Sequence, residues 1–206
     1  MRIQEIPIPE RFGFLTISET GLSRQEQHKT AHALLAESIQ YMIQSDKISG
    51  NFSPETLQLQ YYAYQKPYFA EHPELHFNLS HCDGLAVCLL SSLECGVDAE
   101  CRRQVRPGIL RKVFTSEEQQ LVLGSSDPDL EFTKIWTLKE SYVKAIGRGI
   151  AYPLHEIAFS KTGAKIVSNQ EHAEFYQTVL TDSEHVISLC ILDEAFIKYQ
   201  QEHPHF

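Results

Sequence analysis

No apolar run in this chain approaches the ~18 residues that a membrane-spanning helix needs, and no basic-then-apolar leader opens it. Cysteines are few and odd in number: Cys82, Cys88, Cys95, Cys101 and Cys190, with no C-x-x-C pair among them. That pattern argues against a disulfide framework or a zinc knuckle. It favours free thiols, with Cys88 and Cys190 embedded in apolar sequence, in a reducing cytoplasm. Positive charge is short as well, with 18 Lys and Arg against 27 Asp and Glu and a net charge of −9. A chain of that balance does not wrap nucleic acid through its phosphates, and it is not drawn to an anionic membrane. No G-x-x-x-x-G-K-[ST] loop is present to cradle a nucleoside triphosphate.

What is present is an ordinary globular composition, 42% hydrophobic and 22% charged over 206 residues. That length suits one large domain or two lobes. Phe12–Ile17 reads as a strand. Ser23, with Glu26 three residues on, opens a helix whose apolar residues Ala31, Leu34, Leu35, Ile39, Met42 and Ile43 share one face. Leu57, Leu59 and Tyr61 alternate as in a strand. "LHFNLSH" and "LAVCLLSS" flank the turn residues Cys82-Asp83-Gly84 and predict a hairpin, with "CGVDAE" as the next strand. Helices resume after Pro107. Thr115 with Glu118, or Ser116 with Gln119, caps a short one ended by Gly124, and Asp127-Pro128 starts a longer one stopped by Gly147 and Gly149. "HEIAFSKTGAKIVS", "FYQTVLT" and "HVISLCIL" read as strands, and the polar tail after Ile197 is expected to fray. The order predicts an α+β fold. "LAESIQYMI" (Leu35–Ile43) and "LKESYVKAI" (Leu138–Ile146) share Leu, Glu, Ser and Ile in register half a chain apart, which points to an internal duplication.

Two stretches carry chemistry. In "GVDAE", Asp98 and Glu100 are two residues apart on an extended segment, so both carboxylates project from one face. Like charges that close repel unless a cation lies between them, and oxygen donors suit a hard one. A solvated strand edge is the plainer alternative. In "WTLKESYVKAIGRG", Glu140 and Lys144 lie one helical turn apart on a face that also carries Trp136, an expensive residue to leave in water. Glu140 is therefore placed to meet a partner element, and Asp98 with Glu100 is the candidate. Ser80 and His81 close the first hairpin strand, where the turn is expected to expose both. As strand neighbours they point to opposite faces, which rules out a nucleophile–base pair and leaves phosphate contact as the better role. Lys66 precedes Pro67 in an extended loop.

N-L-S-H at Asn78–His81, G-V-D-A-E at Gly96–Glu100 and W-T-L-K-E-S-Y-V-K-A-x-G-x-G at Trp136–Gly149, in that order, resemble the signatures of the long, surfactin-synthetase-activating 4′-phosphopantetheinyl transferases. The resemblance is specific over residues 65–152. It implies a pseudo-dimer of two similar lobes, here divided as 1–100 and 101–206, with the active site in the cleft between them. It implies transfer of 4′-phosphopantetheine from coenzyme A to a serine of an acyl or peptidyl carrier protein, releasing adenosine 3′,5′-bisphosphate. Asp98, Glu100 and Glu140 would hold Mg²⁺, or Mn²⁺. Glu140 would act as general base and Lys144 would bind phosphate and stabilise the leaving group. Lys66, Ser80, His81 and Lys144 would contact coenzyme A. The related trimeric synthases are far shorter, so a monomer is expected.

Three departures accompany the resemblance. The basic residues expected ahead of the first helix reduce to Arg24 and Lys29. Ala99 is smaller than the Ile or Val expected between the acids, and Glu118 matches a family position but is explained by capping alone. Arg102, Arg103, Arg106, Arg111 and Lys112 crowd the segment after the acid pair and are expected to form a docking surface for an acidic carrier.

Overall fold

The computed structural model describes residues 2–48, 52, 56–62, 64–149, 152–162, 165–180 and 184–202. Gly163, Ala164, Thr181 and the last four residues, which the expected strands and frayed tail include, lie outside the described residues.

Chain order gives β1 (Gln4–Ile6), β2 (Phe14–Glu19), α1 (Arg24–Gln44), β3 (Leu59–Tyr61), β4 (Pro67–Phe69), β5 (His76–Cys82), β6 (Leu85–Ser91) and β7 (Cys95–Cys101). There follow α2 (Pro107–Val113), α3 (Ser116–Gly124), α4 (Pro128–Ile146), β8 (Phe159–Thr162), β9 (Lys165–Ser168), β10 (Ala173–Leu180), β11 (His185–Leu192) and α5 (Glu194–Glu202).

Local chemistry sets most of these bounds. Ser23 Oγ accepts the Glu26 N–H at the start of α1. Thr115 and Glu118 form the full reciprocal capping box of α3. Asp127 caps α4 ahead of Pro128, and Gly147 ends it in the left-handed conformation. Asp83-Gly84 is the two-residue turn between β5 and β6, with Cys82 opposite Leu85 and Gly84 at a φ of 79°. The segment after Ile197 does not fray at that point: α5 continues to Glu202. Asp193 Oδ1 accepts the Ala195 N–H, and the Phe196 ring stacks on His172.

The strands assemble into two main antiparallel sheets, ordered β1-β2-β6-β5 and β10-β11-β7. β7 follows the β5–β6 hairpin in sequence but pairs with β11 in the other sheet, with Asp98 opposite Ser188. A division at residue 100 would cut this strand, all of which belongs to the second of these sheets.

One topology then occurs twice. β2, α1, the β3–β4 pair, β5 and β6 correspond to β7, α4, the β8–β9 pair, β10 and β11. In each copy the first strand pairs with the last, and the last with the one before it. The duplicated nonapeptide falls on α1 and α4. Its serines occupy equivalent places, Ser38 bonding Thr16 of β2 at 2.6 Å and Ser141 lying against Gly96 of β7.

Period-two alternation builds the layers. Ala86, Cys88 and Leu90 face α1, while Leu85, Val87 and Leu89 face the other sheet. Val97, Ala99, Ile187 and Leu189 meet them there, so the two sheets pack back to back with α1 and α4 outside. Cys190 and Leu192 join Leu138, Tyr142 and Val143 beneath α4. Phe132 and Ile135 on the far side of α4 pack with Leu110, Phe114 and Val122 of α2 and α3.

Candidate active site

The alternation that turns Val97 and Ala99 inward turns Gly96, Asp98 and Glu100 toward α4. Gly96 permits the approach: a Cβ there would lie 2.1 Å from the Ser141 carbonyl oxygen and 2.4 Å from the Ala145 nitrogen. The helix backbone thus rests on the strand between residues 141 and 145, one turn wide, and Lys144 reaches Asp98. Its Nζ donates to Asp98 Oδ1 at 2.7 Å. Asp98 Oδ2 is buried with no partner among the described residues.

Glu100 and Glu140 complete an acidic trio. Burial and the Asp98 charge push the Glu100 carboxyl up to about 7, against the pull of Arg103, whose guanidinium bridges Glu100 Oε1 at 2.6 Å. Burial and Asp98 likewise raise Glu140, opposed by Lys144 and Arg103. Three oxygen donors from two elements, Glu100 and Glu140 destabilised as anions and Asp98 with an orphaned oxygen, fit a hard divalent cation. They are set wider than tight chelation would hold them, since Asp98, Glu100 and Glu140 do not bring three carboxylate oxygens within 4.8 Å of one another.

The strand β5 binds β7 across the lobe boundary through its side chains. Asn78 Oδ1 accepts the Val97 N–H at 2.9 Å and Ser80 Oγ accepts the Ala99 N–H at 3.1 Å. The Ser80 hydroxyl also accepts from Lys144 Nζ at 2.9 Å and donates to Asp98 Oδ1 at 3.2 Å. Its bonding capacity is thus spent within the protein. The expectation that the turn exposes Ser80 fails because β7 of the other lobe lies alongside it, and Ser80 is 5% exposed. Ser80 here touches both Asp98 and Lys144.

Lys66 is likewise engaged within the protein. Its ammonium is buried, paired with Glu94, and donates to the carbonyl oxygens of Cys95 at 3.0 Å and Ala145 at 2.5 Å. All three protons are taken, and the residue ties the entry of β7 to the last turn of α4. Asn78, whose role the sequence left unassigned, is the seam's first rung. Lys139, also unassigned, is fully buried and paired with Glu118 at 2.8 Å. Glu118 therefore ties α3 to α4 through Lys139 as well as capping α3.

His81 points the other way from Ser80, toward α1. Its ring stands edge-on to His28 with centroids 6.2 Å apart, and His28 meets His32 at 4.4 Å. Burial lowers the His81 pKa, and Lys144, His28 and Arg24 lower it further. Arg24 is thus the basic residue of α1 whose charge reaches this corner. His81 Nδ1 is buried and unpartnered. The corner between α1, His81 and Lys144 collects positive charge beside the acidic trio, as a phosphate-bearing ligand requires.

A groove of about 1440 Å³ opens on the other side of Glu140. Trp136, Ile109, Val113 and Phe114 form its apolar wall, and Arg106, Arg111 and Lys112 edge it. Arg102 and Arg103 are engaged elsewhere, Arg102 with Asp127 at 2.8 Å and Arg103 with Glu100 while lying over the Trp136 ring.

The resemblance drawn from the three motifs holds. Residues 94–190 match the model of the 4′-phosphopantetheinyl transferase superfamily, a segment that runs from Glu94 through the acidic trio to β11. A 4′-phosphopantetheinyl transferase of Bacillus subtilis is 30% identical over 142 residues, covering 65% of this chain and 62% of that protein. The transferase gsp of Aneurinibacillus migulanus is 33% identical over 97 residues, 46% of this chain and 40% of that one. HetI of Nostoc sp. is 36% identical over 99 residues, 46% of this chain and 41% of the relative. The chain thus spans less than two thirds of the length of each of these three relatives. The crystal structure of Thermotoga maritima holo-[acyl-carrier-protein] synthase is similar at a TM-score of 0.43 and 16% identity, over 52% of this chain and 74% of that one. Among the described residues no helix is long and apolar enough to cross a membrane.

Proposed function

We propose that this chain transfers 4′-phosphopantetheine from coenzyme A to a serine hydroxyl of an acyl or peptidyl carrier protein, leaving adenosine 3′,5′-bisphosphate. The observation that carries the reading is the acidic trio built where α4 rests on Gly96, with Lys144 at hydrogen-bond distance from Asp98. Asp98, Glu100 and Glu140 would hold Mg²⁺ or Mn²⁺, with Asp98 Oδ2 as the oxygen left free for it. When bound, the cation supplies charge neutralisation at the pyrophosphate as its P–O bond to the nucleotide breaks.

Glu140 takes the proton of the carrier serine. Its carboxyl is raised by burial and by Asp98, which makes it a stronger base than a solvated glutamate. It also borders the groove through which a carrier would approach. Lys144 sits between Asp98 and the basic corner and is placed to stabilise the leaving phosphate. His81, with His28 and Arg24 of α1, provides the anion-binding corner for the nucleotide end of coenzyme A. Arg106, Arg111 and Lys112 form the docking edge for an acidic carrier. The chain acts as a monomer of two lobes in the cytoplasm.

The test is the intact mass of an apo acyl carrier protein after incubation with this protein, coenzyme A and Mg²⁺. A gain of one phosphopantetheine, abolished by EDTA and by Asp98→Ala, supports the proposal. No gain with any acyl or peptidyl carrier, while coenzyme A still binds, overturns it in favour of a silent binding module.

A further inference from the structure

The seam between β5 and β7 has a third rung. Asn78 meets Val97 and Ser80 meets Ala99, and two residues further along each strand stand Cys82 and Cys101. His185, the first residue of β11, is the direct register partner of Cys101. The Cys82 and Cys101 thiols and the His185 imidazole offer donor atoms that all lie within 4.8 Å of one another. Cys101 Sγ is 3.2 Å from His185 Nε2. The carbonyl oxygen of Asp83, at the β5–β6 turn, accepts from His185 Nε2 at 2.8 Å and from Cys101 Sγ at 3.3 Å. Four potential donors, three from strands and one from the turn, therefore converge. Cys82 and His185 are buried, and Cys101 is half-buried and opens the cluster to solvent.

We propose that Cys82, Cys101 and His185 form a second cation site, selective for a soft divalent metal such as Zn²⁺. Two sulfurs and one imidazole nitrogen are the donor set that zinc prefers and that Mg²⁺ refuses. In a tetrahedral zinc site, sulfur and nitrogen ligands stand about 3.5 Å apart, so the Cys101–His185 contact needs little adjustment. The fourth position faces the Asp83 carbonyl oxygen, where that oxygen or a water completes the tetrahedron. Binding forms two Zn–S bonds and one Zn–N bond, and the two thiols release their protons to solvent. The site bridges the lobes, because Cys82 belongs to the first sheet while Cys101 and His185 belong to the second. A metal there would lock the rung adjacent to the one at which Ser80 orients Asp98 and Lys144.

The inference does not depend on the transferase reading, and its readout is spectroscopic. The full-length, reduced, chelator-treated protein is titrated with Co²⁺ as a probe and then with Zn²⁺. The expected result is a thiolate-to-cobalt charge-transfer band that saturates at one Co²⁺ per chain and is displaced by Zn²⁺. The band should disappear in Cys101→Ala, at a half-buried position, and in His185→Gln. It should persist in Asp98→Ala, because the acidic trio offers no sulfur. Zn²⁺ should raise the Tm of the parent protein by several degrees and that of Cys101→Ala not at all. Absence of the band from the reduced parent protein, or a band of equal intensity in Cys101→Ala, overturns the proposal. So does a Cys82–Cys101 disulfide on mild oxidation in a protein that fails to bind Co²⁺ when reduced.

Discussion

Lys144 Nζ lies 2.7 Å from Asp98 Oδ1 across the contact between α4 and β7, while the second oxygen of that carboxylate is buried without a partner. Asp98→Ala should lower phosphopantetheine transfer on the order of 100-fold or more, since it removes both a cation donor and the anchor of Lys144. It should also lower the pKa values of Glu100 and Glu140, because Asp98 raises both. Carboxyl carbon shifts followed by NMR against pH test the second effect independently of activity.

On the proposed function, Glu100 would link proton and metal. Its folded value of about 7 stands above the ordinary 4.5, so the metal-free folded chain holds a proton that the unfolded chain gives up. The contribution of this group to stability is present below 4.5 and is lost as pH rises through about 7. A cation that binds the ionised form reverses the trend. The gain in Tm on adding Mg²⁺ should therefore be larger near pH ~8 than near pH ~6, as a pair of thermal melts at each pH will read.

Gly96 is the contact point that brings the two halves of the site together. In Gly96→Ala the new methyl meets backbone atoms of α4 at 2.1 and 2.4 Å, which cannot rotate away. The helix must lift, at a cost of about 1–3 kcal/mol. Transfer activity should fall by more than stability alone explains, because Glu140 and Lys144 move with the helix. Urea denaturation and the mass assay at a temperature where the variant is fully folded separate the two effects.

Lys66 serves the fold. Burial alone would raise Glu94, but its His76 hydrogen bond and the Lys66 ammonium hold it down at about 2. The stability this provides is present above 4.5 and lost as pH falls toward about 2. Lys66→Met should cost about 3–5 kcal/mol, as expected when one partner of a buried ion pair is removed. The double variant Lys66→Met/Glu94→Gln should recover much of it. The KM for coenzyme A of the folded single variant should be unchanged, and a large rise would return Lys66 to the coenzyme site.

Arg111 and Lys112 edge the apolar groove beside Glu140 and are exposed. Reversing both charges should raise the KM for carrier protein by roughly tenfold and leave the KM for coenzyme A unchanged. An unchanged carrier KM would remove this surface from the docking path.

Much of this molecule was legible because its signals are local. Ser23, Thr115 and Asp127 cap helices through bonds spanning three residues, and Asp83-Gly84 makes its turn within two. The period-two and helical patterns likewise turned Asp98 with Glu100, and Glu140 with Lys144, onto common faces. Asn78, Gly96 and Trp136 carried the family resemblance through the motifs around them.

What only the tertiary structure decided rests on contacts between residues far apart in sequence. Nothing in "CGVDAE" says that β7 leaves the hairpin before it to pair with β11, since an apolar strand fits either sheet. The buried positions of Lys66, Ser80 and Lys139 depend on partners brought by other elements, and a polar side chain does not advertise whether its partner will be water or protein. The cysteines make the same point most plainly. Cys82, Cys101 and His185 lack any metal-binding spacing along the chain, and three strands from two lobes bring their donor atoms within 4.8 Å.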